Sequence, residues 1–91
     1  SEERQAGLVL SRSLRQAETL FQQGERNGAE LVEIVREMIA AEPLSEIDYV
    51  EIYELPDLTP LAGKLAGPCL LAVAVRFGTT RLIDNIILEG A

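Results

Sequence analysis

The chain has no histidine and no tryptophan, a single cysteine, and only two tyrosines and two phenylalanines in 91 residues. Without histidine, the commonest general base, the commonest metal ligand and the usual partner of a nucleophilic Ser or Cys are all missing. Catalysis by these residues alone is therefore not expected. The lone Cys69 sits inside an apolar run, which excludes an internal disulfide or a Cys-rich metal site and fits a reducing compartment, so the expected location is cytoplasmic. Basic residues are scarce: eight Lys and Arg against fifteen Asp and Glu give a formal charge of −7. With no basic stripe to release counterions from a phosphate backbone, nucleic acid is not an expected partner. No apolar run approaches the length of about 20 residues that spans a bilayer, and the opening Ser-Glu-Glu-Arg-Gln has no signal-peptide character. A soluble chain with no membrane partner is expected.

What the sequence does have is aliphatic residues and clear periodicity. Its length suits one compact domain, residues 1–91, whose core must be built from Leu, Ile, Val and Ala. Ser1-Glu2-Glu3 reads as a helix start, a capping hydroxyl followed by acids where the helix dipole favours them. Ala6, Leu10, Leu14, Ala17 and Phe21 then recur at helical spacing, with Leu8, Val9 and Leu20 widening the stripe. Ser11-Arg12-Ser13, a short polar group that could be taken for a catalytic loop, falls inside this helix and is read as its surface. Gly24 ends it. Asn27 starts a second helix as N-cap, with Glu30 in capping-box relation. Leu31, Ile34, Val35, Met38 and Ile39 form its apolar face, and Pro43 stops it near Ala41.

From Ile47 the period changes to two, with Val50 and Ile52 on one side of a strand and Tyr49, Glu51 and Tyr53 on the other. Pro56 ends this strand. Asp57–Pro68 reads as a structured loop in which Leu58, Leu61 and Leu65 close over the core as a helical turn. Two further strands, Cys69–Phe77 and Arg81–Leu88, flank a Gly78-Thr79-Thr80 corner as a β-hairpin. In the first of them Cys69, Leu71, Val73, Val75 and Phe77 are expected to face the helices. In the second, Asp84 shares a face with Leu82, Ile86 and Leu88, while Arg81 and Asn85 share the other with Ile83 and Ile87, so periodicity does not choose its face. The expected fold is α+β: two main helices packed on one face of a three-stranded antiparallel sheet.

The opposite sheet face would carry Ala72, Ala74, Ile83, Ile87, Tyr49 and Tyr53, with Glu51, Arg76, Arg81 and Asn85 set among them. It is either a docking surface or an ordinary solvated face. Gly78-Thr79-Thr80-Arg81 has the groups of an anion site, but a hairpin turn needs the same residues, and the segment lacks the longer glycine spacing of phosphate loops. Asp48, Glu51 and Asp84 lack the clustered spacing of a metal site and read as solvated or paired with Arg76 and Arg81.

Two stretches, IDYVEI at 47–52 and GTTRLIDN at 78–85, with the LAVAVRFG strand between them and the SEER start upstream, resemble the C-terminal domain of the pantothenate synthetase (pantoate–β-alanine ligase) family. The resemblance covers essentially the whole chain. It implies the same α+β fold, and it implies that catalysis belongs to a preceding Rossmann-like domain carrying a histidine nucleotide motif, with a Ser-Arg-Asn segment falling before Ser1. Both motifs are absent from these residues, so no catalytic, cofactor-binding or metal residue carries over, and the 91-residue chain is not expected to act alone.

For the parent enzyme the resemblance implies ATP and magnesium as cofactors, none of them bound to this part. It implies pantoate, β-alanine and the catalytic domain as partners, and a homodimeric whole enzyme. This part would be a lid over an acyl-adenylate site, with Arg76, Gly78, Thr79, Thr80, Arg81 and Asn85 as its contacts toward that site. The competing account is a non-catalytic α+β interaction or effector-binding module that self-associates through its sheet face.

Overall fold

The computed structural model describes residues 2–61 and 63–89, so the expected cap at Ser1 lies outside the described residues. Helices α1 (Glu2–Gln22) and α2 (Gly28–Ala40) are followed by strands β1 (Ser45–Glu54), β2 (Thr59–Pro60), β3 (Cys69–Phe77) and β4 (Thr80–Leu88).

In α1 the helical stripe is the buried one: Ala6, Leu10, Leu14, Ala17 and Phe21 are at most 3% exposed. Gly24 supplies the left-handed residue that ends the helix, at φ +107°. Its N–H donates to Phe21 C=O (3.0 Å) and that of Glu25 to Leu20 C=O (2.9 Å), so the last carbonyls find donors. Arg26 then lays its guanidinium 3.8 Å from the Phe21 ring centroid and donates to the Phe21 carbonyl, a cation where the helix dipole is negative. At the start of α2, Asn27 Oδ1 accepts from the N–H groups of Ala29 and Glu30 at 3.0 and 3.3 Å. Leu31, Val35 and Ile39 are buried, and Ala41 caps the helix two residues before Pro43.

Ser13 departs from the sequence reading. It is fully buried rather than on the helix surface, and its hydroxyl donates to Leu10 C=O at 2.9 Å. A serine on the inward side of a helix is tolerated because the preceding turn offers it an acceptor.

The sheet has four strands, not three, in the order β2-β1-β3-β4, and every pairing is antiparallel. The added strand is two residues long, with Pro60 opposite Tyr53 and Thr59 opposite Glu54. Two residues leave no alternation to read, and a proline is tolerated there because the strand is at an edge. Among the described residues of this loop there is no helix where the helical turn was expected. Leu58 is exposed, with φ +58°, whereas Leu61 and Leu65 do pack on the core. The loop is anchored to the start of α2: Gly28 N–H donates to Gly63 C=O (3.0 Å) and Leu65 N–H to Arg26 C=O (2.7 Å).

A bulge between Ile47 and Tyr49 makes Asp48 an extra residue in β1. It resets the alternation. Ile47 therefore joins Val50 and Ile52 on the helix side, although an odd-numbered residue in a regular strand would lie with Tyr49. On β3, Cys69, Leu71, Val73 and Val75 are completely buried under the helices. Register then settles β4: Leu82, Asp84, Ile86 and Leu88 oppose Val75, Val73, Leu71 and Cys69 and face the helices, leaving Arg81, Ile83, Asn85 and Ile87 outward.

Candidate functional site

The outer face of the sheet is set by the same registers. Residues directly opposite each other share a face, so three rows cross the sheet: Tyr53–Leu70–Ile87, Glu51–Ala72–Asn85 and Tyr49–Ala74–Ile83. A fourth row, Glu46–Arg76–Arg81, lies at the hairpin end. Ala74 is completely buried although it faces away from the helices, and its flanking Tyr49 and Ile83 are what cover it. Ile83 and Ile87 remain 59% and 48% exposed.

Charge is concentrated in the fourth row. Arg76 and Arg81 face one another, a like-charge pair that needs carboxylates nearby. The bulge supplies one of them: Arg81 Nε donates to Asp48 Oδ2 at 2.7 Å, reaching across β3 to do so. Glu46 opposes Arg76 on its other side. The Asp48 carboxyl is held below its usual range, chiefly by the hydrogen bond from Arg81, which outweighs the opposing effect of burial, and to a lesser extent by the charges of Arg76 and Arg81. The Arg81 guanidinium is raised in turn by its bond to Asp48. Elsewhere on this face the Tyr53 hydroxyl donates to Glu51 Oε2, which pushes the phenol up.

Of the residues singled out on the hairpin, Arg76, Arg81 and Asn85 lie on this outer face, and Gly78 and Thr79 form its turn. Gly78 takes φ +62° as the first turn residue, a conformation that favours glycine and suits a two-residue hairpin. Thr80 instead belongs to the helix side, opposite Phe77. Asp84 is also on that side, apart from Asp48 and Glu51, and its Oδ1 accepts from Asn85 N–H at 2.8 Å. Among the described residues no group of three His, Cys, Asp or Glu could hold a metal ion. Sequence reading did not attach Asp48 to Arg81 as its specific partner, because only the bulge brings it there. The Glu51–Tyr53 pair was legible, since residues two apart in a strand share a face.

A separate groove of about 440 Å³ opens between α2 and the β1–β2 edge, lined by Val32, Ile52, Pro60 and Leu61 among others. None of the hairpin residues borders it.

The family model described as pantoate-beta-alanine ligase matches residues 1–87. The chain belongs to the pantoate-beta-alanine ligase family. Within that family it is 58% identical over 87 residues to the pantothenate synthetase of Pelotomaculum thermopropionicum, covering 96% of this chain and 30% of that one. It is 52% identical over 88 residues to the pantothenate synthetase of Heliobacterium modesticaldum, covering 97% and 31%. The crystal structure of pantothenate synthetase from Thermus thermophilus superimposes with a TM-score of 0.82 at 33% identity, over 99% of this chain and 32% of that one. The chain thus spans about a third of the length of these pantoate-beta-alanine ligases, and it corresponds to their C-terminal part. This favours the ligase family over a free-standing interaction module. Among the described residues no helix is long and apolar enough to cross a membrane.

Proposed function

We propose that this chain is the lid domain of a cytoplasmic, ATP-dependent ligase that joins pantoate to β-alanine. The observation that carries it is the match over 96% of the chain, at 58% identity, to an enzyme of that name. In the proposed reaction, the pantoate carboxylate attacks the α-phosphorus of ATP and pyrophosphate leaves. The β-alanine amine then attacks the acyl carbon, and the C–O bond to AMP breaks as the amide forms. An acyl adenylate is open to hydrolysis, so a part that closes over it and excludes water protects the product yield.

The residues described here do not fit magnesium or a nucleotide. They include no cluster of metal ligands, and Glu46 and Asp48 stand beside Arg76 and Arg81 in the one row where an anion could dock. This reading assigns ATP and magnesium to the Rossmann-like catalytic domain that it places before the lid, and a homodimeric whole enzyme is part of the same reading. The lid's own contribution is its outer face and the Gly78–Arg81 corner. Arg76, Gly78, Thr79, Thr80 and Arg81 are proposed to meet the catalytic domain at the hairpin end on closure, with Asn85 extending that contact two rows further along the outer face.

The test is steady-state kinetics of the full-length enzyme carrying Arg76→Ala or Thr79→Pro. Turnover is expected to fall about tenfold, equivalent to about 1.4 kcal/mol in the barrier. AMP release should also exceed pantothenate formation, because an ill-closed lid lets water take the adenylate. Unchanged turnover together with unchanged AMP-to-product stoichiometry would remove the lid reading.

A further inference from the structure

Two leucines stay exposed at the end of the domain where α1 begins. Leu8 is 49% exposed although the stripe of α1 beside it is buried, and Leu44, in the turn between α2 and β1, is 58% exposed. Single exposed leucines are ordinary on a protein surface. These two line adjoining depressions that form one groove. Its first part, about 310 Å³, lies among Gln5, Ala6, Pro43, Leu44 and Phe77. Its second, about 280 Å³, runs along α1 past Leu8, Val9 and Arg12, and Gln5 and Glu42 border both parts. Apolar side chains make up most of the first part, while Gln5, Arg12 and Glu42 give the second a polar rim.

Resting on the reading that a catalytic domain precedes the lid, we propose that this groove holds the segment of the whole enzyme that leads into α1, and that it stays filled whether the lid is open or closed. The chain corresponds to the C-terminal part of pantothenate synthetases and covers 30% of the Pelotomaculum enzyme, so most of that enzyme lies upstream. In such an enzyme the upstream chain arrives at the first turn of α1. Gln5 stands three residues beyond Glu2, about 4.5 Å along the helix axis. A segment tethered that close meets the groove at high effective concentration, so a modest apolar contact suffices to hold it. The larger groove beside α2 has no α1 residue in its lining and lacks that tether. The occupant places apolar side chains against Leu44, Phe77 and Leu8 and polar groups against the rim. Phe77 lies on the helix side of β3, whereas its neighbour Arg76 lies on the outer face. The lid therefore has two contacts with the rest of the enzyme at one end of the sheet: a standing one on the helix side and a closing one on the outer side.

The test is thiol labelling of the full-length enzyme carrying Leu8→Cys or Leu44→Cys, with the labelled site assigned by peptide mass spectrometry. Leu58→Cys serves as the comparison, since Leu58 is 52% exposed and follows β1 where Leu44 precedes it. All three positions are exposed within this domain, so the substitutions leave its core intact. In the absence of substrates, Leu8→Cys and Leu44→Cys are expected to react about tenfold more slowly than Leu58→Cys, because the reagent reaches them only when the docked segment lifts. Adding pantoate and ATP should leave both rates unchanged. Labelling of either as fast as Leu58→Cys would overturn the proposal, and so would protection that appears only with substrates, which would make the groove part of the closing contact. The lid reading is judged separately, by AMP-to-product stoichiometry. Fast labelling beside an intact adenylate leak in Arg76→Ala would remove the standing contact alone, and slow labelling without that leak would remove the lid alone.

Discussion

The two faces of β3 come from the same nine residues and obey different rules. On the helix side Cys69, Leu71, Val73 and Val75 are completely buried. Each aliphatic side chain there has been taken fully out of water, a change that stabilises by about 1.5–3 kcal/mol per large residue. On the other side the strand offers Leu70, Ala72, Ala74 and Arg76, small or charged except at one end. One face is specified by volume, the other by what it leaves room for. Small residues in the middle of an outer face let neighbours such as Tyr49 and Ile83 close over them, while the hairpin end is organised by charge.

The contrast can be broken most strongly from inside. Leu71→Ala empties a fully enclosed position and is expected to cost about 2–5 kcal/mol in urea unfolding, a large part of the stability of a domain this size. Its matched control on the outer face is Ile83→Thr, which keeps β-branching at a position 59% exposed and should change stability by no more than about 0.5 kcal/mol. Comparable losses from the two would mean that the outer face is a core in its own right.

The smallest effect is visible as a pH profile. Asp48 has a lowered pKa in the folded state, so its contribution is complete above the ordinary carboxylate value and disappears as pH falls through the lowered one. Wild type should therefore exceed Asp48→Asn in thermal midpoint at neutral pH, with the two converging on acidification and the neutral-pH gap shrinking in salt. A gap independent of pH would assign the effect to the bulge and not to the charge.

Much of this fold was legible because local chemistry and long-range packing agree in it. The helical stripes, the Asn27 cap, the Gly24 terminus and the Gly78 turn each follow from residue type and spacing. What stayed hidden lacks a local signature. The two residues of β2 are shorter than any period, and the bulge at Asp48 is a property of two strands together. Ser13 is inward because of where α1 docks, which its own sequence does not record. The face of β4 stayed open because an edge strand lets Asp84 share the helix side yet remain exposed, so either assignment placed a polar residue in an apolar row. For the candidate site, the outer location of Arg76, Arg81 and Asn85 followed from alternation. Pairing of Asp48, Glu51 or Asp84 with these arginines was among the readings, but singling out Asp48 for Arg81 was not, because that carboxylate arrives from another strand through an irregularity.

Cys69 is completely buried, sits opposite Leu88 at the end of the hairpin and is the only thiol in the chain. Its Sγ lies 3.2 Å from Gly67 C=O, and burial pushes the thiol up from its usual range. The domain consequently has a native clock for its own breathing. A thiol reagent can register only those moments when the closed end of the sheet parts, so the labelling rate counts openings of the β3–β4 terminus without any probe being introduced.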